Sequence, residues 1–145
     1  MKNSICLILA FAAILIIACN NSEKDEKLNP YEGAWESYYS KYVYPDTTIE
    51  STDRVNPTVK LLTKKHFAFG RQSGDKKVWG GGGEYTYDDE TYTEHVKYHA
   101  RFTAGSVSSV EFKSKLDGDL WTINWVVKND TLQVDITETW KRIIE

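Results

Sequence analysis

The sequence predicts an all-β domain, an eight-stranded antiparallel up-and-down barrel, behind a short N-terminal leader. Three observations support this prediction. After residue 30, Tyr, Trp, Thr and Val prevail over Leu, Ala and Met, which favours strands over helices. Short runs of alternating polar and apolar residues are separated by turn-forming residues at the spacing of all-β domains. The remaining chain is long enough for one domain with a single core, and it shows no internal repeat.

The first residues predict a lipoprotein precursor. Lys2 precedes an apolar run over residues 5–18, which is too short for a comfortable membrane span and has the pattern of a signal peptide. The stretch from Ile16 to Cys19 resembles a lipobox, in which a small residue precedes a cysteine that is lipidated and becomes the mature N-terminus. This resemblance implies cleavage before Cys19 and a stable membrane anchor of two or three acyl chains. An uncleaved signal anchor with an incidental cysteine is the alternative.

A flexible tether is predicted between the lipid and the domain. Leu28 is the only apolar residue between Asn20 and Asn29, so this segment cannot bury enough surface to order itself. Asn20, directly after the cysteine, resembles lipoproteins that reach an outer membrane, which implies a place in the cell envelope. The charged run over 23–27 is similar to surface-export tethers, although a solvated linker explains it equally well. We therefore predict a signal peptide over 1–18, a lipidated cysteine and tether over 19–30, and the barrel over 31–145.

Charge and cysteine content exclude several functional classes. The chain carries 18 basic and 21 acidic side chains, a net charge of −3, and only Lys2 of these lies in the predicted leader. The mildly acidic mature domain lacks the clustered cationic surface that nucleic-acid binding requires, so no nucleic-acid partner is expected. Cys6 would leave with the leader and Cys19 would carry lipid, which leaves no thiol for a disulfide, a metal site or catalysis.

The strands follow from alternation and turn residues. We predict them over residues 34–44, 58–65, 66–71, 78–87, 91–103, 107–116, 119–127 and 131–143. The later connections are short and rich in Asp, Asn and Gly, so successive strands should pair as a meander. One side of each later strand is mostly apolar and is predicted to face inward. That side holds Tyr92, Glu94, Val96, Tyr98, Phe102, Val110, Phe112, Leu116, Ile123, Trp125, Val127, Leu132, Val134, Ile136 and Trp140. This pattern fits a closed barrel or a two-sheet sandwich, and eight up-and-down strands can enclose one small ligand.

Residues at both ends of the domain resemble a known family. Gly33 and Trp35, at the start of the first strand, resemble the Gly-x-Trp signature of lipocalins, and Arg142 in the last strand resembles the basic residue found opposite that Trp. Residues 80–87, 92–95 and 112–119 are similar to a lipocalin-like domain of unknown function that is common in secreted bacterial lipoproteins. The resemblance implies a calycin-type barrel closed by Trp35 stacked on Arg142. It implies no established activity, and the chain lacks the disulfide and the helix before the last strand that typical lipocalins have.

Two carboxylates fall on the apolar side of their strands, where a buried charge needs a partner. Glu94 and Glu138 are each either a polar anchor in a ligand cavity or a member of an internal pair, for which Arg142 or a tyrosine hydroxyl is a candidate partner. The residues that we predict to line a ligand cavity are Glu94, Tyr85, Tyr92, Tyr98 and Trp125.

No catalytic, metal or cofactor site is predicted. His95 and His99 would lie about 13 Å apart along one outward strand face, too far to share a metal ion, and His66 is solitary. The four glycines at 80–83 lack the Lys-Ser/Thr of a phosphate-binding loop and are predicted to form a bend or bulge at the barrel rim. No pair of a nucleophile and a base is visible, so an enzyme is not expected.

Two functional hypotheses remain. The first is a membrane-anchored barrel that binds a small apolar or amphipathic ligand. The alternative is a surface interaction module, in which a filled barrel uses its outer tyrosines or rim loops to contact a glycan or a protein. An open interior of roughly a few hundred cubic ångströms would favour the first hypothesis.

Overall fold

The structure is a computed structural model, and it describes residues 28–52, 55–72, 74, 78–100 and 109–144. The predicted signal peptide, the lipidation site Cys19, nearly all of the tether and the predicted inward residue Phe102 lie outside the described residues. The described strands are β1 (Gly33–Val43), β2 (Thr48–Ser51), β3 (Val59–Leu62), β4 (His66–Gln72), β5 (Val78–Tyr87), β6 (Thr91–His99), β7 (Ser109–Asp117), β8 (Leu120–Lys128) and β9 (Gln133–Arg142). Within these ranges, no helix has the length and apolar character needed to cross a membrane.

Eight strands close into an antiparallel barrel, as predicted. β3 to β9 pair in chain order, β3 also pairs with β1, and β9 returns to β1. The closing pair extends from Trp35 opposite Arg142 to Val43 opposite Asp135. Because every strand of this ring has two neighbours, closure removes the exposed edges that an open sheet or a sandwich would leave.

β2 is the one described strand that the sequence analysis did not predict. β1 is longer than β3, and β3 pairs only with the first four residues of β1, from Gly33 to Glu36. β2 pairs with the later stretch of β1, from Ser40 to Val43. All four β2 residues are exposed, and Ile49 is its only apolar residue. A strand that buries neither face has no alternating pattern, and therefore nothing in its sequence separates it from a loop.

A bulge in β6 changes which of its residues face inward. Gly83 pairs with Val96 and Gly82 pairs with Tyr98, so Lys97 is an extra residue without a partner in β5. Such an insertion inverts the alternation of the residues that follow it. Tyr98, which was predicted to face inward, is 61% exposed on the outer side of the barrel.

The same bulge moves His99 to the inner side. The prediction that His95 and His99 share an outward face is therefore wrong, because the His99 ring packs against Phe69 and Trp79. His95 stays outside, where its Nδ1 lies 2.9 Å from Ser109 Oγ.

The inward prediction fails at two further positions, at the ends of their strands. Val127 is 48% exposed and Leu132 is 39% exposed. Both flank the β8–β9 turn, where the pairing between the two strands ends. Alternation therefore predicts burial less well beside this turn than within the strands.

The glycine run lies inside β5 rather than at the rim. A Cβ atom on Gly83 would overlap the His95 carbonyl oxygen, and one on Gly82 would overlap the Tyr98 hydroxyl. The backbone of the β6 bulge and the Tyr98 side chain thus occupy the space that side chains would fill. Close backbone approach is a common reason for glycine within a strand.

Candidate functional site

Aromatic side chains fill one end of the barrel. The Trp121 ring centroid lies 4.8 Å from that of Tyr92, 5.3 Å from that of Tyr31 and 5.5 Å from that of Trp35. Trp35 is fully buried, and its Nε1 donates a hydrogen bond of 2.8 Å to the Tyr31 carbonyl oxygen. The segment that enters the barrel therefore closes this end, and we call these four rings the plug.

The three predicted closure residues lie together at the plug. They are Trp35, which is one of its four rings, and Gly33 and Arg142 beside it. The Arg142 Cζ atom lies 4.1 Å from the Trp35 ring centroid, and its Nη1 and Nη2 donate hydrogen bonds of 2.8 and 2.7 Å to the carbonyl oxygens of Glu32 and Pro30. Gly33 has a φ of 131°, and a Cβ there would lie 3.0 Å from Arg142 Nη1. Glycine thus leaves room for the guanidinium that covers the tryptophan and holds the incoming chain.

Tyr85 and Tyr92 belong to this closed end. The Tyr85 hydroxyl donates to the Thr63 carbonyl oxygen and accepts from the Asn29 side-chain amide. Burial raises the pKa of Tyr85 to about 12 and, with the nearby Glu94 charge, raises that of Tyr92 as well. Both phenols are therefore neutral side chains that pack the closed end, and neither lines the cavity described next.

Next to the plug, the barrel interior holds a cavity of about 200 Å³. Most of its wall is apolar and consists of Phe69, Trp79, Phe112, Ile123, Trp125 and Trp140. The polar lining residues are Ser37, Thr58, Lys60, Glu94 and Glu138. Of the five residues predicted to line a ligand cavity, Glu94 and Trp125 do so, whereas Tyr85 and Tyr92 lie at the closed end and Tyr98 lies outside.

A buried ion pair lies in the cavity wall. Lys60 Nζ lies 2.6 Å from Glu94 Oε1, and the two side chains are 5% and 8% exposed. The ammonium also lies 4.6 Å from the Trp140 ring centroid and 5.3 Å from that of Trp121, within the range of cation–π attraction. The carboxylate and these rings together compensate the buried charge of Lys60.

Glu138 faces the same cavity without a cation of its own. It is half-buried, and it forms no ion pair or regular hydrogen bond with any residue in the described ranges. Burial raises its pKa, the Lys60 charge opposes that rise, and the Glu94 charge adds to it. The Trp140 indole N–H lies close enough to oppose the rise slightly, yet it makes no hydrogen bond of normal geometry. Glu138 is thus an uncompensated carboxyl group in an aromatic cavity.

Lys60 is the charged residue of the site that was not predicted from the sequence. Apolar residues lie on both sides of it, at Val59, Leu61 and Leu62, so alternation does not tell which face of β3 is inward. The balance of charges inside the barrel could have identified Lys60 from the sequence. Two carboxylates predicted inside one barrel require a cation, and Lys60 is the lysine of a short, mostly apolar strand.

The histidines do not form a metal site. His66 Nε2 lies 3.9 Å from a Glu84 carboxylate oxygen on the outside of the barrel, while His95 and His99 face opposite sides of the wall. In the described part of the chain, no three His, Cys, Asp or Glu side chains are grouped to hold a metal ion.

Comparison with known proteins agrees with this architecture. Residues 30–145 match the model of a family described as a domain of unknown function (DUF4488). The fold is similar to the crystal structure of a lipocalin-like protein from Bacteroides uniformis ATCC 8492, with a TM-score of 0.51 and 12% sequence identity over 79% of this chain and 100% of that chain. At that identity, the likeness concerns the fold alone. No curated protein matches the chain. The chain belongs to the DUF4488 family, and the lipocalin-like barrel expected from its sequence is confirmed.

Proposed function

We propose that this protein is a lipid-anchored binding protein that holds a small amphipathic molecule inside its barrel and catalyses no reaction. The observation that carries the proposal is the interior cavity of about 200 Å³, with tryptophan and phenylalanine rings on its wall and a few polar groups among them. Small-molecule sites in proteins typically combine such a mostly apolar wall with a few placed polar groups that orient the ligand.

The size of the cavity limits the ligand. Drug-sized molecules occupy sites of roughly 300–1,000 Å³, and this cavity measures about 200 Å³. The expected guest is therefore small, on the scale of one ring with a short polar chain. The half-buried Phe69, Trp79 and Trp125 mark the side on which the cavity meets solvent.

The anchor is proposed from the lipobox-like sequence that ends at Cys19. Lipidation there would hold the protein in the cell envelope, on an outer membrane if Asn20 acts as it does in the lipoproteins that it resembles. The described chain enters the barrel at its closed end, where Arg142 holds the Pro30 carbonyl oxygen. The tether would then join the barrel at residues that do not line the cavity.

The interior cavity argues against the alternative function, in which a filled barrel acts only through its surface. A packed interior would leave no such space, whereas the cavity here measures about 200 Å³. Surface contacts through exposed tyrosines become the better explanation if the cavity binds nothing.

The test compares molecules that copurify with the wild-type protein and with a variant whose cavity is filled. Ile123→Trp adds bulk to a cavity-lining position of β8, whereas Val126→Trp adds the same side chain at an exposed position of that strand and serves as the control. Native mass spectrometry should find the same small molecule on the wild type and on Val126→Trp, and none on Ile123→Trp. Thermal melting establishes that both variants fold. A wild-type protein that carries and takes up no small solute would overturn the proposal.

A further inference from the structure

We propose that the ligand is cationic, a small amine whose ammonium group pairs with Glu138 while its apolar part lies against the cavity rings. The inference rests on the proposed binding function and adds the chemical class of the ligand. Two carboxylates and one ammonium group are among the described side chains that line the cavity, and they belong to Glu94, Glu138 and Lys60.

The short ion pair decides which carboxylate remains for a ligand. Lys60 Nζ lies 2.6 Å from Glu94 Oε1, and no ion pair joins Lys60 or any other described cation to Glu138. An incoming ammonium would supply the missing counter-charge to Glu138 without breaking the existing pair. An incoming carboxylate would be repelled by two carboxylates, and the charge of the one ammonium group in the cavity wall is already paired with Glu94.

The aromatic wall of the cavity also favours a positively charged ligand. Aromatic rings present their electron-rich faces to cations, and a desolvated cation over such a face gains attraction that an anion does not. The structure already contains one example, because Lys60 Nζ lies 4.6 Å from the Trp140 ring centroid. Trp79 and Trp125 add two further indole rings to the wall of the same cavity.

The other polar groups near the cavity do not reverse this balance. Arg71 acts on Tyr42, whose pKa is raised mainly by burial and by Glu138. The charges that act on Glu138 are those of Lys60 and Glu94. His99 is held between the Phe69 and Trp79 rings on the inner side of the barrel. Glu138 is thus the cavity carboxyl group that forms no ion pair with a cation of the described ranges.

Three probes of nearly equal size separate charge from fit. Calorimetric titration of the full chain in lipid nanodiscs, with empty nanodiscs as the blank, compares 2-phenylethylamine, 2-phenylethanol and phenylacetate at neutral pH. We expect the amine to bind about tenfold or more tighter than the alcohol, because it forms a charge-assisted pair in a partly desolvated site. Phenylacetate should not bind measurably.

Variants of Glu138 test the assignment of the residue. Glu138→Gln should bring the affinity for the amine to within about threefold of that for the alcohol, since the ion pair is lost while the volume is kept. Glu138→Asp should retain the preference for the amine. Asp135→Asn removes an exposed carboxylate of the same strand and should leave the affinity for the amine unchanged.

Each outcome supports or overturns the inference. Equal affinities for amine and alcohol, tighter binding of phenylacetate, or an amine preference that survives Glu138→Gln would overturn it and leave the proposed binding function intact. Loss of the alcohol together with the amine in Glu138→Gln would also overturn it, because Glu138 would then support the cavity itself. If none of the three probes binds the wild type, the inference fails, and the proposed function stands or falls with the small molecule sought by native mass spectrometry.

Discussion

Glu94 and Glu138 face one cavity, yet they meet different electrostatic environments. Glu94 is held by the Lys60 ammonium at 2.6 Å, and the pair is almost fully buried. Glu138 forms no ion pair with another residue of the described part of the chain, and burial raises its pKa. A charge that is removed from water and left uncompensated destabilises the folded state, whereas a compensated one is tolerated. We therefore expect opposite effects from neutralising the two residues.

Glu94→Gln should destabilise the protein, because it leaves the Lys60 ammonium buried without its carboxylate. Breaking a buried pair by removing one partner typically costs about 3 to 5 kcal/mol. Glu111→Gln, at an exposed position of β7, is the control and should stay within about 0.5 kcal/mol of the wild type. Urea denaturation followed by tryptophan fluorescence measures both. An unchanged midpoint in Glu94→Gln would contradict a structural role for the pair.

Glu138→Gln should stabilise the protein in a pH-dependent way. Because the pKa of Glu138 is raised in the folded state, the folded protein binds this proton more tightly than the unfolded chain does. Its contribution to stability therefore falls as the pH rises from the ordinary glutamate pKa through the raised one. The glutamine variant escapes this loss, so it should melt at a higher temperature than the wild type near neutral pH.

The same comparison at low pH provides the control. Below the ordinary pKa of glutamate, the wild-type side chain is protonated in both the folded and the unfolded state, and the stabilising effect of Glu138→Gln should vanish. Thermal melts between about pH 3 and pH 8 cover this range. A difference in melting temperature that does not change with pH would mean that the substitution acts through packing and not through the charge.

At the scale of the strands, regular alternation allowed strand positions to be predicted, whereas local irregularities such as a bulge could not be predicted. β5 was predicted over residues 78–87 and is observed at Val78–Tyr87, because its turn residues and aromatic residues mark both ends. The β6 bulge inserts Lys97 without a change in composition, so the side chains beyond it were assigned to the wrong faces. The Lys60–Glu94 pair joins β3 to β6 across the barrel. Periodicity within a strand carries no information on such a contact.

The glycine run in β5 lies opposite the β6 bulge and was the sequence feature that indicated it. A substitution in this run tests the close approach of the two strands. Gly83→Ala should destabilise the protein by about 1 to 3 kcal/mol or more, because its methyl group would overlap the backbone at His95, which cannot rotate away as a flexible side chain can. Gly74→Ala is a matched control, since nothing lies within 4 Å of the added atom. Chemical denaturation of the two variants gives the comparison. Equal stabilities would show that the two strands separate easily at the bulge.

At the scale of the whole molecule, closure of the barrel and entry of the chain are one structural feature. The segment that leads into β1 contributes Tyr31 to the plug, and Arg142 of the last strand holds its Pro30 carbonyl oxygen. The proposed anchor would attach to the chain at this sealed end, and neither Tyr31 nor Arg142 lines the cavity. We therefore expect attachment to the membrane and binding of the ligand to be separable properties.

Cys19→Ser tests that separation. The lipidation reaction needs the cysteine thiol, so the variant should lose metabolic palmitate labelling and remain unprocessed. Cys6→Ser, within the apolar run of the same leader, removes a thiol that is not at the lipobox and should label normally. Binding of 2-phenylethylamine should be equal in the two variants, because neither residue belongs to the barrel. Normal palmitate labelling of Cys19→Ser would refute the lipoprotein assignment, and loss of amine binding in that variant alone would show that attachment and binding are coupled.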